Sequence, residues 1–273
     1  VTNQTSSNVI YSEGTLIIGD AENSLLNDVN IYAHSSARGT DDSGGNNKTS
    51  NANAYAVTIN GSSSIFKMYG GKVQATGVAR GRRGGHNNLR VYALNIEDCY
   101  CAEVYGGEIS IPASPVDSYT GLRTSTNNAA DGANARASAI RCDTPNLYIF
   151  DVTSDVKVLT GADTGSSNRL YASNVYCTKD NPATIYGGNY TYWGQSNDGD
   201  RSTALIYAYT VEGPYNIAIN NSLSESYGSN RDGGNTDGVN GLTNGDVLSL
   251  TDEEKASCQT ERETTVQAYA DSL

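Results

Sequence analysis

The chain has 273 residues, a formal charge of −12 from 30 acidic and 18 basic side chains, 29 glycines and only two phenylalanines. That charge opposes a general affinity for phosphate backbones or anionic lipid surfaces, so neither nucleic acid nor membrane insertion is expected, and no stretch approaches the ~20 apolar residues of a membrane span. Abundant Gly, Asn, Ser and Thr between recurring short apolar clusters predict many turns on a β scaffold, not disorder.

Taken in chain order, the first apolar clusters are Thr15-Leu16-Ile17-Ile18 and Val29-Asn30-Ile31-Tyr32. A two-part unit then repeats. Its first part is a small residue followed by alternating apolar positions: Ala56-Val57-Thr58-Ile59, Ala93-Leu94-Asn95-Ile96, Ala139-Ile140-Arg141-Cys142, Asn174-Val175-Tyr176-Cys177 and Leu205-Ile206-Tyr207-Ala208. Period two predicts strand. The second part is an apolar residue, an aromatic and usually a Gly pair before another alternating strand, as in Met68-Tyr69-Gly70-Gly71-Lys72-Val73, Val104-Tyr105-Gly106-Gly107-Glu108-Ile109 and Ile185-Tyr186-Gly187-Gly188-Asn189-Tyr190, with Ile149-Phe150 and Ile217-Ala218 as degenerate copies.

The two anchors of a unit lie 9 to 11 residues apart, whereas successive units lie 31 to 46 apart. A constant unit with variable insertions predicts stacked coils whose strands keep register while one corner carries loops. The expected fold is therefore all-β, a right-handed parallel β-helix over residues 1–246. Its long loops would lie at one corner, in 35–53, 76–90, 112–136, 160–169, 194–203 and 224–245. Val57, Leu94, Ile140, Val175 and Ile206 should form one vertical file, and Tyr69, Tyr105, Phe150 and Tyr186 an aromatic column at about 4.8 Å spacing. The Gly pairs suit sharp corners with positive φ.

Residues 247–273 differ in character. Thr251-Asp252-Glu253-Glu254 has the form of a capping box, and Val266, Tyr269, Ala270 and Leu273 share a helical stripe, predicting a terminal helix or tail that covers an open coil end or docks on a neighbour. The chain opens at Val1 with neither an initiator Met nor an apolar signal core, the pattern expected of a processed, secreted product.

Five cysteines (Cys99, Cys101, Cys142, Cys177, Cys258) form no C-x-x-C pair. Cys142 and Cys177 are expected as a stacked pair of buried small hydrophobes, with a disulfide between them the less favoured reading, and Cys99 and Cys101, two apart, to point the same way. Five sequons, at Asn3, Asn47, Asn60, Asn189 and Asn220, are candidate glycosylation sites in a secretory pathway.

At its Tyr-Gly-Gly units the sequence resembles the pectin-lyase-like β-helix superfamily, closest in style to microbial surface and extracellular β-helix repeat proteins, over about residues 9–223. The resemblance implies architecture and spans lyases, hydrolases, adhesins and filaments. Asn235-Thr236-Asp237-Gly238 is similar to the element that carries paired catalytic Asp residues in polygalacturonases, but Asp41-Asp42 lies far upstream, Gly84-Gly85-His86 has the wrong order, and no R-I-K follows. It is read as a chance match, and no catalytic residue is assigned.

Two histidines, His34 and His86, leave no triad and no multi-histidine metal site. No cofactor is expected; the Asp-rich loops 197–200 and 231–237 are the places where calcium would sit, with ordinary turn Asp the favoured reading. Candidate binding residues, for a glycan or another subunit, are Tyr190, Tyr192 and Trp193 beside the 194–203 loop, and Arg80, Arg82 and Arg83, which cluster with Arg90. The expected role is a non-enzymatic extracellular structural protein, a surface or filament subunit whose partners are copies of itself. The alternative is a glycan-binding or glycan-cleaving β-helix.

Overall fold

A computed structural model of the chain describes residues 2–38, 49–81, 87–113, 120–124, 135–162, 167–178, 183–198, 203–212, 215–218, 224–227, 247–248 and 252–272; beyond Tyr190 the strands are described by their backbone alone. Its strands fall into three parallel sheets, and the chain visits the sheets in rotation, adding one strand to each on every pass. The arrangement is compatible with a β-helix.

The first layer comprises β1 (Thr2–Ser12), β2 (Thr15–Ile18) and β3 (Asn30–Arg38), and the second β4 (Thr49–Asn60), β5 (Ile65–Met68) and β6 (Lys72–Gly81). The third has β7 (Asn87–Asp98), β8 (Cys101–Val104) and a third strand interrupted by an insertion, β9 (Glu108–Ser110) and β10 (Thr120–Thr124). Then follow β11 (Ala135–Cys142), β12 (Leu147–Ile149) and β13 (Thr153–Ala162); β14 (Ser167–Cys177), β15 (Ala183–Ile185) and β16 (Asn189–Asp198); and β17 (Thr203–Glu212), β18 (Tyr215–Ala218) and β19 (Ser224–Tyr227). A further strand, β20 (Val247–Leu248), extends the second sheet, and helix α1 (Asp252–Ala270) ends the chain. Sheet A runs β1-β4-β7-β11-β14-β17 and sheet B β2-β5-β8-β12-β15-β18-β20. Sheet C is built on β6, β9, β13, β16 and β19, with β3 on its outer edge and β10 between β6 and β13.

The register confirms most of the predicted files. Val57, Leu94, Ile140 and Val175 stand one above the next, and Ile10 precedes them. The last member is corrected: Val211 continues the file, and Ile206 pairs instead with Leu170. β17 is longer than its repeat unit, and Leu205-Ile206 is the apolar pair of its first half. The second file is complete, Ile18–Met68–Val104–Ile149–Ile185–Ile217–Val247. The inward side chains in the described layers are mostly aliphatic and buried, which is the main stabilising contribution to the stack.

Corners follow from glycine chemistry. The second Gly of each predicted pair takes positive φ: +87° at Gly71, +99° at Gly107 and +129° at Gly188. At Gly107 a Cβ would also lie 2.8 Å from the Gly71 carbonyl oxygen, so the corner of one layer sits directly on the corner of the layer before. The aromatic column beside these corners is present, with ring centroids 4.8 Å apart for Tyr69–Tyr105, 4.9 Å for Tyr105–Phe150 and 4.7 Å for Phe150–Tyr186, all stacked with nearly parallel planes. Side-chain ladders repeat the theme in Asn88 donating to Asn51 (2.9 Å) and Ser138 with Ser173 (2.8 Å).

The insertions between sheet C and the next sheet A strand are corrected in part. Strands run deep into them: β3 reaches Arg38 and β4 starts at Thr49, β6 reaches Gly81 and β7 starts at Asn87, β13 reaches Ala162 and β14 starts at Ser167. Here sheets A and C face each other as two layers without sheet B between them. Small residues fill the space: Ala37, Ala52, Ala54, Ala79, Ala137 and Ala172 are buried, and a Cβ on Gly77 would meet Val91 Cγ2 at 2.6 Å. The 224–245 insertion lies mostly outside the described residues, as do the tips of the others.

Candidate interaction surfaces

Helix α1 lies along the flank of the stack, on the outer face of sheet B; its described contacts run over layers two to four. A helix rises about 5.4 Å per turn and stacked strands about 4.8 Å, so a helix parallel to the stack meets roughly one layer per turn. The contacts run from layer four at Arg262 to layers two and three at Val266 and Tyr269. Arg262 lies over the Tyr148 ring at 4.0 Å, Val266 is buried with Ile65 and Cys101, and Tyr269 stacks on Tyr100 at 3.7 Å. Of the predicted stripe, Val266, Tyr269 and Ala270 face the sheet; Leu273 and the capping Thr251 lie outside the described residues.

Beneath the helix sits a fully buried carboxylate, Glu103. Tyr105 donates to its Oε2 at 2.7 Å and the Cys101 thiol to Oε1 at 3.4 Å, while Lys67 Nζ at 3.7 Å and Arg262 Nε at 3.9 Å supply the charge. A buried charge with several partners is tolerated, and stripping one away leaves the rest uncompensated. Burial, then the neighbouring Glu103, push the Cys101 thiol up to about 12, and burial likewise moves Cys99 to about 12. Such thiols remain protonated and poorly nucleophilic near neutrality.

Four cysteines are described, all free and buried, and Cys142 and Cys177 stand in register as expected. Cys99 and Cys101 do not point the same way. Cys99 belongs to the main core, whereas Cys101 joins the outer cluster under α1, because the corner between β7 and β8 breaks the period of two. The side chain of Cys258 lies outside the described residues.

The outer face of sheet A is a lattice of aromatic and guanidinium groups. Tyr55 and Tyr92 stack at 5.6 Å, Arg136 covers the Tyr176 ring at 3.7 Å, and Arg141 lies 5.5 Å over Tyr92 while donating to Asn95 Oδ1 at 2.8 Å and to Asp143. Burial of Tyr92 raises its hydroxyl to about 12. These ring faces are already occupied by the protein's own cations.

The first layer is different. Among the described residues, every large apolar side chain that is exposed belongs to it: Val9, Tyr11, Ile17, Leu25, Leu26, Val29 and Tyr32, with Leu25 85% exposed. Leu25 and Leu26 lie in a short 3-10 turn, Ser24–Asn27, held by Asn23 accepting from the Leu25 backbone N–H (3.2 Å) and by Asn27 Oδ1 accepting from that of Asp20 (2.8 Å). The strands β1, β2 and β3 form the outer edges of their sheets.

Of the residues singled out from sequence, Tyr190 is corrected from a surface to an interior position. It is fully buried, its hydroxyl donating to the Gly187 carbonyl at 3.0 Å and its ring filling the space left by Gly188, where a Cβ would meet it at 2.8 Å. The repeat carried this signal, since two residues after the Gly pair stand Val73, Ile109 and Tyr190 alike. Tyr192 and Trp193 are in register with Val156 and Lys157. Arg80 pairs in register with Arg38 and Arg123; Arg82 and Arg83 lie outside the described residues, and Arg90 is exposed in β7.

Asn60 donates to the Tyr11 hydroxyl at 3.0 Å, and Asn189 is exposed at the start of β16. Asn3 lies in the edge strand β1, whereas Asn47 and Asn220 fall outside the described residues. The loop 231–237, residues 199–200, the pair Asp41-Asp42 and His86 also lie outside them, and His34 Nδ1 is 2.9 Å from Thr76 Oγ1. Among the described residues no group of three His, Cys, Asp or Glu side chains is placed to hold a metal ion, and no helix is long and apolar enough to cross a membrane. Comparison of the chain with protein-family models, with curated proteins and with solved structures finds no match.

Proposed function

We propose that the chain is a right-handed parallel β-helix of the pectin-lyase-like architectural type, serving as a non-enzymatic, secreted structural subunit that associates with copies of itself. The hand follows from the rule that crossovers between parallel strands of one sheet are right-handed in about 98% of cases. The observation that carries the role is the distribution of exposed apolar surface: among the residues whose side chains are described, it is confined to the first layer, whose strands stand at one end of their sheets. Open edges and clustered apolar side chains recruit partners. Helix α1, lying on the flank, supports the same reading because its described contacts leave the first layer uncovered.

Secretion is supported by Asn60 and Asn189, whose sequons lie on described surface strands. The glycan-binding alternative draws less support, since Tyr190 is interior and the sheet A rings are covered by Arg136 and Arg141. Light scattering coupled to sizing, with negative-stain microscopy of the native protein, tests the proposal. Discrete assemblies are expected; a uniformly monomeric species at high protein concentration refutes it.

A further inference from the structure

We propose that helix α1 is a strap that lifts from sheet B as one unit while the stack stays folded, uncovering Cys101 and Glu103. The helix is lightly held. Among its described side chains Val266 alone is buried, Tyr269 and Ala270 are partly covered, and Thr260, Thr264, Gln267 and Ala268 are among those exposed. Its described contacts with the sheet are made by side chains, with none of the backbone pairing that joins strand to strand. Thr260, Thr264 and Thr265 are poor helix formers, so the order of this segment depends on docking.

The polar hold is loose as well. Arg262 Nε stands 3.9 Å from Glu103 and is buried without a hydrogen-bond partner, while Nη2 donates to the Cys101 sulfur, a weak acceptor, at 3.4 Å. Glu103 keeps its other partners when the helix goes: Tyr105 and Cys101 lie at its own strand and Lys67 on the neighbouring β5. The movement that withdraws Arg262 also admits water to the carboxylate, so opening strands no buried charge. Replacing Arg262 with the helix in place is a different case, because Glu103 then stays covered with one cation fewer.

Lifting α1 leaves the ladder of sheet B intact, since β2, β5, β8 and β12 are paired by their own backbones. Ile65, Cys101, Tyr100 and Tyr148 lose their cover. Cys142 and Cys177 remain in the main core, so the thiols report opening of the strap and unfolding of the stack separately.

The test is alkylation of the folded full chain by iodoacetamide, each thiol being followed by tandem mass spectrometry, beside hydrogen exchange of α1. In that reaction the Cys101 thiolate displaces iodide, and the thiol proton passes to solvent. Cys101 is expected to label roughly 100-fold or more faster than Cys142 and Cys177, yet far more slowly than in the denatured chain, with α1 amides showing the same weak protection. Val266→Asp should speed Cys101 by about a further 10-fold or more and leave Cys142 labelling and the β-sheet circular dichroism unchanged. Val266→Ala should act in the same direction by a smaller step, and serves if the charged variant does not fold. One common rate for Cys101, Cys142 and Cys177 overturns the proposal, because α1 then leaves only when the stack unfolds. Fast Cys101 labelling beside protected α1 amides also overturns it, placing the opening at the corner between β7 and β8. Labelling of wild-type Cys101 at the denatured-chain rate overturns it too, since no strap is then docked.

Discussion

The stack and its two-layer extension use the same parallel strands at the same spacing, yet fill their interiors with different residues. Where three sheets enclose the core, Phe66, Met68, Leu94, Ile96, Ile109 and Ile140 are fully buried. Where only sheets A and C face each other, beyond Gly77 on one side and before Ala56 on the other, alanines predominate, with Leu89 and Val91 reaching across to Gly77. The contrast teaches that side-chain volume, more than strand pattern, sets where the two sheets close on each other. Large aliphatics hold three walls apart; alanine and glycine let two walls meet.

The largest expected effect tests the enclosed part. Leu94→Ala removes a fully buried side chain from the middle of the Val57–Leu94–Ile140–Val175 file and should cost about 3 kcal/mol, read by urea denaturation at unchanged m-value. Cavity formation is the cause, so Leu94→Met should recover most of the loss.

The extension should fail in the opposite sense, by overfilling. Gly77→Val brings a branched side chain where even a Cβ would lie 2.6 Å from Val91, and should destabilise by about 2 kcal/mol. Pairing it with Val91→Ala should restore part of the stability, and hydrogen exchange should place the damage in β6 and β7 instead of sheet B. Equal protection loss in all three sheets would erase the distinction between the two regions.

The smallest effect is alkaline. Burial raises Cys99 and Cys101 from 9.0 to about 12, Cys177 to about 11, and Tyr69 and Tyr92 from 10.0 to about 12. The folded chain thus binds these protons more tightly than the unfolded one. Their contribution to stability is fully present below about pH 9 and is lost as pH rises through 9–12. A melting temperature flat up to pH 8.5 and falling above it is expected, with phenolate absorbance appearing in step with unfolding. Tyr69 is partly exposed, so its share is small.

How far the sequence could be read depended on repetition. Glycine pairs, the aromatic after each second anchor and the small residue before each first anchor recur in several copies, and stacking turns each recurrence into a file. Tyr190 shows the same signal set aside: its place in the repeat is that of Val73 and Ile109, but tyrosine beside a polar loop suggested a surface patch. Ile206 shows the limit of the method, because in a strand with two apolar pairs spacing alone did not decide which pair joins the file. The strands inside the insertions escaped because alanine and glycine carry little apolar contrast, although Ala52-Asn53-Ala54 and Ala75-Thr76-Gly77 do alternate.

What the sequence by itself determined was the layered plan: period-two strands, corners that demand glycine and a spacing constant enough to impose register, all of them local properties repeated along the chain. Only the tertiary structure decided where long-range surfaces meet. It set α1 on the flank of sheet B over Glu103 and Cys101, closed sheets A and C on each other, and left the apolar side chains of the first layer uncovered. Each of these depends on which faces come together after the chain has wound, and residues far apart in sequence acquire that relation only through packing.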